Sequence, residues 1–233
     1  MNHPKHRPDI EAEDGEHNSR QLSNDLSRLL DENSIVLDIG ANRGQFAQEL
    51  LSSVSVKNIY SFEPVPDAYA ELVVIANSYP QIIPISKAVS SENGSTSFYI
   101  TKSDVGSSLL PPLPGQSSQW LTLEKELTVE TVRLDYFISN NLINVDEKKV
   151  SLLKSDAQGA DLAVIQSAGE YLTPDVIKAI LIEINFTNFY ENQRPYYEIL
   201  SQLDKSGYRM AWMYPYRAND KWLWWADVLF VGK

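Results

Sequence analysis

None of the 233 residues is a cysteine, so disulfides, thiolate metal ligands and cysteine nucleophiles are all excluded. That absence fits a reducing compartment, and a cytoplasmic location is expected. Histidine is nearly as scarce. His3, His6 and His17 are the three copies, all in a polar opening stretch, so no histidine general base is expected in the folded part. Basic charge is short as well: 20 Lys and Arg stand against 31 Asp and Glu, a net charge of −11. Nucleic-acid binding through phosphate neutralisation is therefore not expected, nor is docking on an anionic membrane. No window approaches the ~18 apolar residues that a spanning helix needs. The opening MNHPKHRPDIEAEDGEHNSRQ lacks the apolar run of a signal peptide.

Apolar residues make up 43% of the chain, enough to bury a core for one large α/β domain. Residues 1–18, polar and charged, read as a flexible leader, and residues 19–233 as a single domain. From Ser19 the spacing of Leu22, Leu26, Leu29 and Leu30 predicts an amphipathic helix. Beyond it strand-like and helix-like segments alternate nearly to the end, with glycine or acidic residues at the strand ends. That order predicts a doubly wound α/β sheet whose ligand lies beyond the carboxyl ends of the strands. The stretch 106–119, GSSLLPPLPGQSSQ, breaks the alternation and reads either as a long loop or as a lid.

The first strand–loop–helix, SIVLDIGANRGQFAQELL, raises the question of what it holds. A dinucleotide fingerprint needs G-x-G-x-x-G, whereas this loop reads Gly40-Ala41-Asn42-Arg43-Gly44, and no Walker G-K-[ST] follows. Asp38, two residues before Gly40, would repel a pyrophosphate and suits a ligand with an ammonium group. A second carboxylate, Glu63, closes the next strand 19 positions after Gly44, where it can accept hydrogen bonds from both ribose hydroxyls. This spacing points to S-adenosylmethionine (AdoMet) rather than to a phosphorylated ligand.

Further segments carry a resemblance. VLDIGANRGQF, SFEPVPDAYAEL, SSLL, VRLDYF and LLKSDAQGADLAVIQSAGEYL, followed by ILIEINF and YYEILSQLDKSGYRM, together resemble the FkbM family of AdoMet-dependent methyltransferases. The resemblance implies a seven-stranded class I (Rossmann-like) methyltransferase fold with its last strand antiparallel. It also implies methyl transfer to a hydroxyl of a glycan, glycolipid or polyketide-like natural product. Carried over by position, Asp38, Gly40, Ala41, Asn42 and Gly44 would surround the methionine part of the cofactor. Glu63, with Pro64 beside it, would hold the ribose, and Ala88 and Val89 would lie against the adenine. The family segment K-x-D-x-x-G-x-E reads Lys154, Asp156, Gly159 and Asp161 here, with Asp161 in place of the usual Glu. Ser107 and Ser108 match a serine pair common in the family.

With histidine confined to the leader, the proton acceptor for a hydroxyl nucleophile is expected to be a carboxylate. Asp156 stands first, at a strand end, where it would also border the cofactor; Lys154 and Glu183 stand second. Asp156 with Glu183 or Asn185 could form an oxygen-rich Mg²⁺ site, although a metal is not the favoured reading. Late aromatics, Trp212, Tyr214, Tyr216, Trp222, Trp224 and Trp225, read as core or a homodimer interface, with a few as a wall for a small-molecule or glycan acceptor. Arg217 and Lys221 could read an acidic group. The alternatives are a nitrogen or carboxylate acceptor, or a catalytically silent AdoMet-binding module.

Overall fold

The computed structural model describes residues 8–115, 119–142, 149–217 and 223–233. Along the chain run helix α1 (Pro8–Leu29), strand β1 (Ile35–Ile39), α2 (Gln45–Ser53), β2 (Asn58–Phe62), α3 (Pro66–Ala76), β3 (Ile82–Ile85) and β4 (Ala88–Val89). Then come β5 (Gly94–Thr101), β6 (Leu123–Val132), α4 (Leu134–Asn141), β7 (Val150–Ser155), α5 (Asp161–Ser167), β8 (Ile177–Asn185), α6 (Tyr196–Lys205), β9 (Tyr208–Arg217) and β10 (Leu223–Gly232). The start of α3 is set by Pro66 at the first helical position. α1 begins well before Ser19, so helical backbone extends into the stretch whose composition suggested a leader. His3 and His6 lie outside the described residues, as does the side chain of His17.

Seven strands form one sheet in the order β3-β2-β1-β7-β8-β10-β9. Pairing is parallel from β3 across to β8, while β10 is antiparallel to both β8 and β9. The final strand alone therefore runs against the others, as expected. The order reverses at β1, whose neighbours are β2 and β7, and a crevice opens there beyond the carboxyl ends.

Each face of the sheet is buried by alternate residues. On one face Val36, Leu152, Ala179, Leu181 and Leu229 pack against Leu26 of α1, Leu30 just beyond its end, Ala47 and Leu50 of α2 and Leu72 of α3. On the other Leu37, Leu153, Ile180, Ile182 and Val228 meet α4, α5 and α6 through Leu134, Ile165 and Leu203. Asp25 of α1 accepts a hydrogen bond from the buried Tyr214 hydroxyl at 2.7 Å, which ties α1 to β9.

A second, three-stranded sheet, β4-β6-β5, is inserted between β3 and α4. The alternating order of strands and helices gave no sign of a separate sheet. The segment from Gly106 is pinned on both sides as far as Leu113. Ser108 and Tyr99 exchange backbone bonds of 2.8 and 3.1 Å, Leu113 N–H donates to the Phe189 carbonyl, and Glu191 N–H to that of Pro111. Its leucines have work to do: Leu109 packs by Phe98 and Ile100, and Leu110 by Leu121 and Phe189. Residues 116–118, in the same segment, lie outside the described residues.

Candidate active site

The loop after β1 is built around a close backbone approach. Gly40 has φ +74°, and a Cβ placed there would lie 2.1 Å from the Asp156 carbonyl oxygen, so only glycine lets the β1 and β7 loops meet. Gly40 and Ala41 both donate to the Phe62 carbonyl, bending the loop toward the end of β2. Glu63, buried at that end, completes the link. Its Oε2 accepts from the Asn42 N–H at 2.9 Å and its Oε1 from the Val65 N–H at 2.7 Å. Burial pushes this carboxyl up to about 7, although the two N–H donors pull the other way. Each oxygen has one backbone donor and so retains acceptor capacity for a ligand.

Across the sheet, side chains in register share a face. Ser61, Asp38 and Lys154 stand side by side on β2, β1 and β7. The Lys154 ammonium lies 3.2 Å from Asp38 Oδ1 and 3.8 Å from Asp156 Oδ2, and donates to the Gly40 carbonyl at 3.1 Å. Burial alone would push this amine down, but Asp38 and Asp156 outweigh it and hold the amine above its ordinary range. Asp38 is fully buried, and that burial raises its carboxyl in spite of Lys154 and of Ser61, which donates at 3.3 Å. Near as it is to the ammonium, Asp38 Oδ1 receives no hydrogen bond of acceptable geometry, and buried Asn42 Oδ1 has no hydrogen-bond partner among the described residues.

One step further toward the carboxyl ends lie Asp156, Glu183 and Asp227. Glu183 and Asp227 sit directly opposite each other across β8 and β10. Burial raises both, with help from the neighbouring carboxylates: Glu183 well above the ordinary range, Asp227 to about 7. Gln158, held at φ +50°, spans the site. Its Nε2 donates to Asp156 Oδ1 at 2.7 Å and to Glu183 Oε1 at 3.1 Å, and its Oε1 lies 2.9 Å from the Tyr190 hydroxyl. The pair considered as a Mg²⁺ site is thus bridged by an amide. Among the described residues no three acidic or histidine side chains converge to hold a metal ion.

Asp161 turns out to be a loop holder. Its Oδ1 accepts from the Ser155 hydroxyl at 2.6 Å and the Ala157 N–H at 3.0 Å, its Oδ2 from the Gly159 N–H at 3.2 Å. The shorter Asp fits this cage of nearby donors and fixes the turn that carries Asp156. Ser108 donates to the Gln158 carbonyl at 2.8 Å, tying the pinned segment to the same turn, and the Ser107 hydroxyl accepts from the Thr101 N–H at 3.1 Å.

A cavity of about 780 Å³ opens over these groups. Of the residues singled out in the sequence, Gly40, Ala41, Asn42, Glu63, Pro64, Ala88, Val89, Ser107, Lys154, Asp156, Glu183 and Asn185 line it. Asp38 and Gly44 stand behind the wall. Asp38 is beneath the loop against Lys154, and Gly44 is where α2 passes α3, a Cβ there coming 2.9 Å from Leu72 Cδ1. Trp224 and Trp225 line the cavity with Trp120, whereas Tyr214 is core and Trp212 is exposed. Trp222 and Lys221 lie outside the described residues, as do the side chains of Tyr216 and Arg217. Sequence reasoning missed Gln158 and Asp227. An acidic residue inside the apolar run WWADVLF was the available signal for the second.

The geometry fits a nucleoside-bearing amino acid: an open glycine loop with an orphaned buried amide oxygen at Asn42, then a carboxylate with free acceptors, then apolar Ala88 and Val89. Comparison with known proteins shows the family and the fold. The methyltransferase FkbM domain matches residues 38–210. The chain belongs to the FkbM methyltransferase family. Among curated relatives, the 2-O-methyltransferase NoeI of Sinorhizobium fredii is 28% identical over 186 residues, covering 76% of this chain and 74% of that protein. The solved FkbM methyltransferase of Methylobacillus flagellatus superposes with a TM-score of 0.56 at 12% identity; it covers 87% of this chain, which spans only 44% of its length. Aeropyrum pernix fibrillarin, solved with bound AdoMet, gives 0.51 at 14% identity over 92% of this chain and 76% of its own. At such identities the solved structures share the fold, the class I Rossmann-like architecture found here. No helix among the described residues is long and apolar enough to cross a membrane.

Proposed function

We propose that the protein transfers the methyl group of AdoMet to a hydroxyl oxygen of a glycan, glycolipid or polyketide-like acceptor. The observation that carries this reading is a single cavity lined by the Gly40–Asn42 loop, Glu63 and Asp156 together with the indoles of Trp120, Trp224 and Trp225. Family membership supports methyl transfer, and the 2-O-methyltransferase relative supports oxygen as the acceptor atom. Asn42 would receive the amino-acid end, Glu63 the ribose hydroxyls, and Ala88 and Val89 the adenine face.

AdoMet supplies the electrophilic methyl carbon. What this chain contributes is position and proton management. The indoles offer apolar faces on which a ring can rest, holding a hydroxyl in line with the bond that breaks. Asp156, kept in place by Gln158 on one oxygen and Lys154 near the other, takes the hydroxyl proton as the new C–O bond forms. Lys154 stays protonated and balances the charge of Asp38 and Asp156.

The test is calorimetric titration with S-adenosylhomocysteine (AdoHcy), with NAD as control, followed by labelled-methyl transfer to a panel of sugar and polyketide alcohols. Saturable AdoHcy binding and label in an ether linkage are expected. NAD binding, or label only on an amine or carboxylate, would overturn the reading.

A further inference from the structure

The floor of the cavity carries more carboxylate than the nearby cation can balance. Lys154 is shared between Asp38 and Asp156. Glu183 and Asp227, opposite each other on β8 and β10 and both lining the cavity, have no ion pair among the described residues. The hydrogen bonds to Glu183 come from neutral amides, Gln158 at 3.1 Å and Asn185 at 3.2 Å, both on Oε1. An acidic pair with no ion pair of its own, and only the distant charge of Lys154 to offset it, favours a ligand that brings its own positive charge.

We propose that Glu183 and Asp227 sense the sulfonium charge of the methyl donor, so that the protein holds AdoMet more tightly than its neutral product AdoHcy and releases the product readily. This rests on the cofactor reading above. In the reaction the sulfonium becomes a thioether, the methyl carbon passes to the acceptor oxygen, and the hydroxyl proton leaves on a carboxylate. The positive charge facing the pair therefore disappears with turnover, and the attraction disappears with it.

The groups facing the pair define how the preference depends on pH. Asp156 on β7, Asp161 on α5 and the Tyr190 hydroxyl face Glu183, and Asp227 also feels Lys154 and Tyr214. Burial among these acids raises both carboxyls, Asp227 to about 7, so near neutral pH Asp227 retains part of a proton that an arriving cation expels. AdoMet binding should then release protons and strengthen as pH rises from 6 to 8, beyond any change seen with AdoHcy. Glu63, also raised to about 7, would meet the ribose of either ligand, so its contribution cancels in the ratio of their affinities.

The experiment is calorimetry of AdoMet and AdoHcy between pH 6 and 8, in two buffers of different ionisation enthalpy. It uses the wild type, Asp227→Asn and the Glu183→Gln/Asp227→Asn double variant. The wild type should prefer AdoMet by about tenfold at pH 8, the ratio for one unit of coupled pKa change, with a smaller preference at pH 6 and extra proton release. In the double variant the ratio should fall to within roughly twofold while AdoHcy affinity holds, and Asp227→Asn should lie between. Equal affinities in the wild type, or a preference unchanged in the isosteric variants, would overturn the proposal. If neither ligand bound the wild type, the cofactor reading would fall first and this inference with it.

Discussion

Asp38 and Lys154 face each other at one register position of the β1–β7 ladder, 3.2 Å apart and both buried. The pair sits beneath the loop that approaches Asp156, so the charge balance of the site is part of its foundation.

Removing the lysine should therefore be costly. Lys154→Met leaves Asp38 without a cation, and loss of one partner of a buried pair typically costs about 3–5 kcal/mol. Urea unfolding measures the loss, and adding Asp38→Asn should recover part of it. If the double variant is as unstable as the two single losses added together, the two residues are not coupled.

Glu63→Gln should separate stability from binding. A carboxyl raised to about 7 in the folded state, against an ordinary value near 4.5, holds its proton more tightly folded than unfolded. Its favourable contribution is complete below about 4.5 and is lost as pH rises through 7. Relative to the Gln variant, which loses one of the two backbone acceptors at every pH, the ligand-free wild type should thus lose melting temperature as pH rises from 4 to 8. AdoHcy binding should weaken by about 1–3 kcal/mol through loss of charged hydrogen bonds. A melting-temperature difference between the two proteins that does not change with pH would contradict the burial argument, and unchanged affinity the ribose assignment.

Gly40→Ala tests the meeting of the two loops. The added methyl would occupy space 2.1 Å from the Asp156 carbonyl oxygen, at a backbone φ of +74°. We expect a melting temperature several degrees lower, on the scale of a loss of ~1–3 kcal/mol, and AdoHcy binding reduced at least tenfold. Gly115→Ala, also at positive φ but with nothing within 4 Å of the added atom, is the control for strain without collision.

Asp156→Asn should leave AdoHcy affinity within roughly threefold and lower kcat by at least a hundredfold, the lower range for removing a general base. Once an acceptor is in hand, the ratio of the two effects is the readout. Equal losses in both would make Asp156 a binding group, and no loss in either would remove it from the mechanism.

Much of the fold was legible because its signals are local. Pro66 starts α3, the Asn93-Gly94 turn opens β5, and the Ile-, Leu- and Val-rich runs of β1, β7 and β8 are those of strands buried on both faces. The loop glycines, Glu63 and Asp156 were legible for a related reason: each marks a strand end, and the crevice of a parallel sheet lies beyond those ends. Other features had no local mark. The small β4-β6-β5 sheet joins strands far apart in sequence, and α1 begins in a stretch whose polar composition hid its helix.

By itself the sequence determined the alternating strand–helix order, the open glycine loop and the family, because backbone demands and short motifs are written within a few consecutive residues. Only the tertiary structure decided the partners. It put Asp38 behind the cavity wall against Lys154, made Asp161 a clasp for its own turn, set Gln158 between Asp156 and Glu183, and brought Asp227 opposite Glu183. The physical reason is register. A carboxylate's role depends on which residue the neighbouring strand presents beside it, and packing across the whole sheet sets that alignment.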